Sequence, residues 1–351
     1  PAGSSMRQRG KAMNYVKRIS DLKKVEAPIS GGKAANLGEL TRHGFRVPKG
    51  FTVTGPSLEY LLDVNNLMPH IRKIIRAMDF DDYHDIEIKS EMIRDLIRSA
   101  PLPCDLLNEL KEQIERMQIE NGGENPFVAV RSSVSVRETP VYSFPGMMDT
   151  FPYIKGERQI IGAIRDCWAS LYTARAVYRR HQQDIGQDRG VIAPIVQQMV
   201  DSDVSGVLFT ANPVTGNCRE IIIESNWGLG ESVVSGEANA DHFVLCRDKP
   251  LRVKMKKIMP KEIMITIDNE KGCGRKRYDL KGHMISDCTL TENQLMELGE
   301  LGLSVEKVFS YPQNVEWAYE NDILYLLQSR NIKALKTTEW LNLQNMVFDC
   351  N

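Results

Sequence analysis

Near its C-terminal end the chain carries two runs rich in apolar, aromatic and β-branched residues, Asn314-Val315-Glu316-Trp317-Ala318-Tyr319 and Ile323-Leu324-Tyr325-Leu326-Leu327-Gln328-Ser329-Arg330, separated by Glu320-Asn321-Asp322. Runs of this kind around a short polar break predict a β-hairpin. Successive strand side chains point to opposite faces, so Asn314 and Glu316 share one face, as do Gln328 and Arg330 on the returning strand. One carboxylate, two amides and a guanidinium then converge at the mouth of an otherwise apolar hairpin. That set suits an oxygen-coordinated Mg²⁺ beside a polyphosphate. It also suits an edge hairpin with a surface ion pair of little energetic weight, and this stretch alone does not choose between the two.

At 351 residues the chain has room for two or three packed units. With 42% hydrophobic and 26% charged residues it has a globular composition, and a formal net charge of −1 gives bulk electrostatics no reason to favour a nucleic-acid or membrane partner. The seven cysteines are scattered without a Cys-x-x-Cys pair, which fits a reducing compartment and makes cytoplasmic the expected location. Cys273, His283 and Cys288 match no usual zinc spacing. No run approaches the roughly 20 apolar residues of a membrane helix.

Residues 1–12 read as a fusion remnant or disordered start, since Gly-Ser-Ser-Met precedes a basic, aperiodic stretch. Ordered structure is expected from about Val16. Gly31-Gly32 then opens a helix carrying Ala34, Leu37 and Leu40 at helical spacing, with Lys33 in its first turn. A lysine there opposes the helix dipole, so a bound anion is the partner that would explain it; a solvated surface lysine is the simpler alternative. Residues 57–117 read as mostly helical, broken at Pro101 to Pro103. Phe127 to Ser133 reads as a buried strand ending in Arg131-Ser132-Ser133, which places five guanidinium donors of Arg131 at a strand end. The following loop, Gly146-Met147-Met148-Asp149-Thr150, offers close backbone approach and a hydroxyl to an anion.

Residues 157–183 form an amphipathic helical run whose aromatic stripe, including Trp168 and Tyr172, reads as core. Val191 to Val200 and Ser205 to Thr210 read as strands, with Gln197 and Met199 placed to hold an adenine through backbone groups. Glu224 ends another strand, and glycines flanking Leu229 turn the chain so that Glu231 lies near whatever Glu224 faces. Short strands alternate with charged turns over residues 243–285, and Thr291 to Gln294 is a capping box opening a helix over residues 291–308.

In this order, Gly31 to Gly38, Val130 to Ser133, Phe144 to Thr150, Cys167 to Leu171 with Arg175, Gly206 to Thr210, Gly228 to Glu231, Glu316-Trp317 and Leu327 to Arg330 resemble the N-terminal nucleotide-binding domain of phosphoenolpyruvate synthase and pyruvate phosphate dikinase. The resemblance covers nearly all of residues 16–333. It implies an α+β fold of the ATP-grasp type, two lobes with the nucleotide between them, divided as 13–195 (including a helical segment) and 196–335, followed by a tail or linker over 336–351. It implies that Lys33, Arg131 and Arg330 act on ATP phosphates, that Gly146, Met147, Met148, Asp149 and Thr150 cover them, and that Gln197, Met199 and Glu231 hold the nucleoside. Glu316, Gln328 and Asn314 become the Mg²⁺ ligands, although the family usually has aspartate where this chain has Asn314, and an amide oxygen brings no charge to a dication.

The chemistry implied is cleavage of ATP to AMP with transfer of phosphate to a histidine on a separate domain or subunit. The inventory of Lys, Arg, Glu and amides, without a Ser/His/Asp set, agrees with transfer by positioning and charge neutralisation. None of the six histidines lies in the family's phosphohistidine context, and the pyruvate-binding barrel is missing, so the chain is expected to be a fragment or one subunit of a split enzyme. Two alternatives remain open: the equivalent domain of a rifampin-type antibiotic phosphotransferase, and a nucleotide-binding module that no longer transfers phosphate.

Overall fold

The structure, a computed structural model, describes residues 15–136, 150–187, 190–268, 270–271 and 274–332. Among them the chain is α+β. Its first sheet is built from β1 (Val16–Arg18), β2 (Gly50–Val53), β3 (Phe127–Val136), β4 (Thr150–Lys155) and β5 (Gly190–Gln198), in the order β1-β2-β5-β3-β4. Its helices are α1 (Ala27–Arg42), α2 (Gly55–Val64), α3 (Met68–Arg76), α4 (Tyr83–Ser99), α5 (Cys104–Glu120), α6 (Glu157–Ala169) and α7 (Ala174–Gln182).

Period-2 alternation assigns the two faces of this sheet different tasks. Val128, Val130 and Val196 point to one face and join Ile93, Leu110, Ile164 and Trp168 of the helices in a single core. The other face carries Ala129, Arg131 and Gln197. Helix α1 packs there, where Ala34, Leu37 and Ile195 form a small separate core.

The second sheet has β6 (Val204–Phe209), β7 (Glu220–Trp227), β8 (Asp241–Cys246), β9 (Arg252–Lys257), β12 (Gln313–Glu320) and β13 (Ile323–Asn331), in the order β13-β12-β6-β7-β8-β9; β10 (Ile263–Ile267) and β11 (Arg275–Asp279) pair separately. A short α8 (Glu231–Val234) follows β7, and α9 (Glu292–Phe309) precedes β12. Val315 and Trp317 of β12 pack with Leu208, Ile223 and Phe243 against Leu295, Leu298 and Val305 of α9. The apolar half of each strand therefore goes under the helix, and the polar half is turned to the opposite face.

The expected hairpin is present. Asn314 lies opposite Arg330 and Glu316 opposite Gln328, and the turn residues Asn321 and Asp322 have φ of 50° and 59°, the paired positive φ of a type I′ turn. The capping box is also present, with Thr291 and Gln294 side chains each accepting the other's backbone N–H.

Two local readings change. Strand β3 does not end at Arg131-Ser132-Ser133 but runs to Val136, because Arg131 to Val136 keep pairing with β5. Arg131 is thus held within the ladder on both sides. The long helical run over 157–183 divides into α6 and α7 through a 3₁₀ turn at Ser170–Tyr172, and Thr173 caps the second piece by accepting the Ala176 N–H.

Strand β13 would be an open edge, but the first half of the chain covers it. The Leu326 N–H donates to the Arg46 carbonyl at 2.9 Å, and Asn36 Nδ2 donates to the Ser329 carbonyl at 3.2 Å. These bonds fix the polar faces of the two sheets toward each other. Among the described residues no helix is long and apolar enough to cross a membrane.

Candidate functional site

The site begins with the position of Lys33. Helix α1 starts at Ala27, earlier than the sequence suggests, and is broken at Gly31, whose φ of 74° and ψ of 159° belong to no helix. A Cβ at Gly31 would lie 2.1 Å from Ser133 Oγ. The break lets Ser133 cap the restarted helix by accepting the Ala34 N–H at 3.3 Å. Lys33 therefore does sit in a first helical turn. Its side chain keeps solvent access, yet its ammonium is pushed down to about 8, first by loss of water to the surrounding protein and then by the positive charges of Arg131 and Arg330, against the pull of Glu316.

Arg131 lies on the same face as Ser133, two residues along. Its Nη2 donates to Glu316 Oε2 at 2.8 Å, and Nη1 faces Gln197 Oε1 and the Leu327 carbonyl, each at 3.4 Å. Both members of the ion pair are largely enclosed, at 19% and 18% side-chain exposure. Across the hairpin Gln328 Nε2 donates to Glu316 Oε1 at 2.8 Å. Asn314 is 8% exposed, and its Oδ1 has no hydrogen-bond partner. Arg330 lies opposite it and is exposed. Lys33, Arg131, Arg330, Glu316, Gln328 and Asn314, expected from separate parts of the sequence, are thus brought into one cleft.

The cleft continues into a cavity of about 430 Å³ lined by Arg131, Gln197 and Glu316 at one end and by Met199, Val200, Tyr153, Leu229 and Glu231 at the other. Gln197 is 3% exposed; its Oε1 faces Arg131, and its Nε2 has no partner, so the amide offers a buried donor. Thr150 pairs with Arg131 in register and lines the cavity. Gly146, Met147, Met148 and Asp149 lie outside the described residues.

Two expected contacts differ. Met199 lines the cavity, but its backbone N–H is bound to the Phe127 carbonyl at 2.8 Å; the strand ladder uses the group that was expected to face a base. Glu231 and Glu224 do not converge. Glu231 accepts from the Tyr153 hydroxyl and from Arg275 Nη1, the latter at 3.0 Å, whereas Glu224 lies on the sheet face 3.2 Å from His242 Nδ1. The sequence reading had no access to Tyr153, which reaches the cavity through a φ of 62° on a non-glycine residue. Ser133, two residues after Arg131, suggests a strand end in the sequence and acts as a helix cap in the structure.

No cluster of three or more His, Cys, Asp or Glu suited to a metal occurs among the described residues. The hard oxygen donors here are one carboxylate and two amides. The orphaned Asn314 oxygen and the cation already resting on Glu316 fit a site built for positive charge, provided a ligand supplies further oxygens.

Over residues 27–346 the chain matches the family model described as pyruvate phosphate dikinase, AMP/ATP-binding domain. It is 34% identical over 363 residues to the phosphoenolpyruvate synthase of Pyrococcus furiosus, covering 93% of this chain and 44% of that protein. A probable phosphoenolpyruvate synthase of Methanocaldococcus jannaschii is 36% identical over 328 residues, covering 93% of this chain and 27% of the relative. The rifampicin phosphotransferase of Bacillus cereus is 32% identical over 323 residues, covering 92% and 36%. The chain spans less than half the length of these curated relatives. A model covering most of the chain, matched over the segments that build the cleft, shows that the chain belongs to the pyruvate phosphate dikinase AMP/ATP-binding domain family.

Proposed function

We propose that this chain is the nucleotide-binding half of a dikinase-type phosphotransferase, in which ATP lies between two ATP-grasp lobes divided after β5 and its phosphate passes to a histidine on a separate domain or subunit. The observation that carries this reading is the Arg131–Glu316 pair lining a largely apolar cavity, with Lys33 and Arg330 in electrostatic reach of it, Gln328 bonded to Glu316 and Asn314 opposite Arg330. Met199, Val200 and Leu229 are suited to a base, Glu231 to a ribose hydroxyl and the Gln197 amide to an acceptor on the ligand. The cations would hold the phosphate oxygens and stabilise charge as the P–O bond breaks and the P–N bond to the acceptor forms. Mg²⁺, held by Glu316, Gln328 and Asn314, would supply neutralisation of the phosphate oxygens.

The relatives support phosphoenolpyruvate synthesis as the overall reaction. A drug hydroxyl as final acceptor is the second reading, supported by the Bacillus cereus relative. Titration calorimetry with Mg²⁺ and ATP tests the shared core of both; absence of binding at millimolar nucleotide would sink it.

The Lys33 charge gives a pH dependence. With an ammonium pushed down to about 8, ATP affinity is expected to be flat at lower pH and to fall as pH rises through about 8. A bound phosphate raises the ammonium's affinity for its proton, so binding near pH 8 should take up protons. Calorimetry in buffers of different ionisation enthalpy reads that uptake, and buffer-independent heats would rule out Lys33 as the titrating contact.

Asn314→Asp is expected to lower the melting temperature of the nucleotide-free protein and to raise the further stabilisation given by Mg²⁺ with ATP. A buried carboxylate is costly alone and favourable beside a dication. Thermal melts with and without ligand measure both, and equal ligand-induced shifts in the two forms would remove Asn314 from the metal site.

A further inference from the structure

We propose that the Arg131–Glu316 ion pair is an exchange latch that makes divalent cation and nucleotide enter the cleft together; the inference rests on the nucleotide reading above and adds to it a rule of loading. The guanidinium rests on the single carboxylate of the oxygen set at 2.8 Å, and the Asn314 oxygen, two positions along the same strand, has no hydrogen-bond partner. The two partners come from the facing sheets, β3 and β12, so the pair also ties the halves of the cleft. The Leu327 carbonyl and Gln197 Oε1, at 3.4 Å, complete the guanidinium's acceptors.

The pair is largely enclosed, and its two ends need opposite replacements. A cation arriving alone must displace the guanidinium from Glu316 and leave it beside Lys33, whose ammonium Arg131 and Arg330 already depress. A phosphate arriving alone must draw Arg131 away and leave the Glu316 carboxylate unpaired in a poorly solvated place. A cation–phosphate complex supplies both replacements at once, the cation to Glu316 and the anion to Arg131. Only in that case does each member of the pair keep an opposite charge beside it. The latch therefore predicts a positive coupling between cation and nucleotide that originates in the protein and acts equally on both.

The coupling can be taken apart from either side. Mn²⁺ binding without nucleotide, followed by electron paramagnetic resonance, is expected to be about tenfold or more tighter in Arg131→Met than in the wild type, because Glu316 is released. ATP binding in the presence of a chelator, followed by calorimetry, is expected to tighten about fivefold or more in Glu316→Gln, because Arg131 is released. In the double variant both gains should vanish, because each requires the partner that the other substitution removes. If Arg131→Met does not fold, the Glu316→Gln arm decides alone. Unchanged affinities in these arms, with Mn²⁺ and ATP still binding together to the wild type, overturn the latch and leave the nucleotide reading standing. Failure of the wild type to bind Mn²⁺ with ATP overturns both.

Discussion

Lys33→Ala is expected to weaken binding of Mg²⁺ with ATP by about 10- to 150-fold, the loss of one charge-assisted hydrogen bond worth about 1.5–3 kcal/mol. Phosphate transfer to a supplied histidine-bearing domain should slow further, by about 100- to 1,000-fold, as for other electrostatic donors removed from a reacting centre. The melting temperature should not fall. The Lys33 ammonium is depressed by its surroundings, so the fold disfavours its charged form; stability from this residue is lowest below about pH 8, where it is charged in both states, and rises toward the unfolded value as pH increases. Removing such a group relieves the folded state. Titration calorimetry, single-turnover transfer and scanning calorimetry give the three readouts, and near-normal transfer with an unchanged dissociation constant would show that Lys33 only solvates the helix start.

Gly31→Ala should damage the site through the backbone. The φ of 74° with ψ of 159° falls in a region that side-chain-bearing residues avoid, and the added Cβ would lie 2.1 Å from Ser133 Oγ and 2.7 Å from the Ser133 backbone. Together these should cost about 2–4 kcal/mol of stability. The loss is directed, because relief of the clash pushes α1 away from β3 and carries Lys33 out of the cleft. ATP affinity should therefore fall together with the melting temperature. Gly32→Ala is the control: nothing lies within 4 Å of its Cβ, and its stability should change by less than about 1 kcal/mol. Equal behaviour of the two variants would remove the strained break from the description of the site.

The hairpin was legible because its determinants are local. Period-2 alternation places Asn314 with Glu316 and Gln328 with Arg330, and, although the shift that sets Glu316 opposite Gln328 has no local signal, the polar Asn321-Asp322 step fixes the register from the turn to Trp317 opposite Leu326. The same holds for the core role of Trp168, since helical spacing alone aligns it with Ile164 and Cys167. Lys33 was half legible: the glycine pair marks a helix start, but the break within a longer helix depends on Ser133, which caps Ala34 from 99 positions further along the chain. Arg131 was singled out by residue type and misplaced at a strand end, because pairing of Arg131 to Val136 with β5 is a property of the partner strand.

The sequence by itself therefore determined which residues carry charge and hydrogen-bonding capacity, which strand face each occupies, and the family to which the motifs belong. Only the tertiary structure decided what those groups do to one another. Arg131 meets Glu316 across 185 positions of chain, the Met199 N–H is spent on Phe127, and Glu231 is engaged by Tyr153 and Arg275. Each of these follows from how two sheets face one another, and no local period or turn signal encodes that distance. Hydrogen bonds are satisfied wherever the packed backbone brings a donor to an acceptor, so a group's chemical type can be read along the chain while its partner is set by the fold.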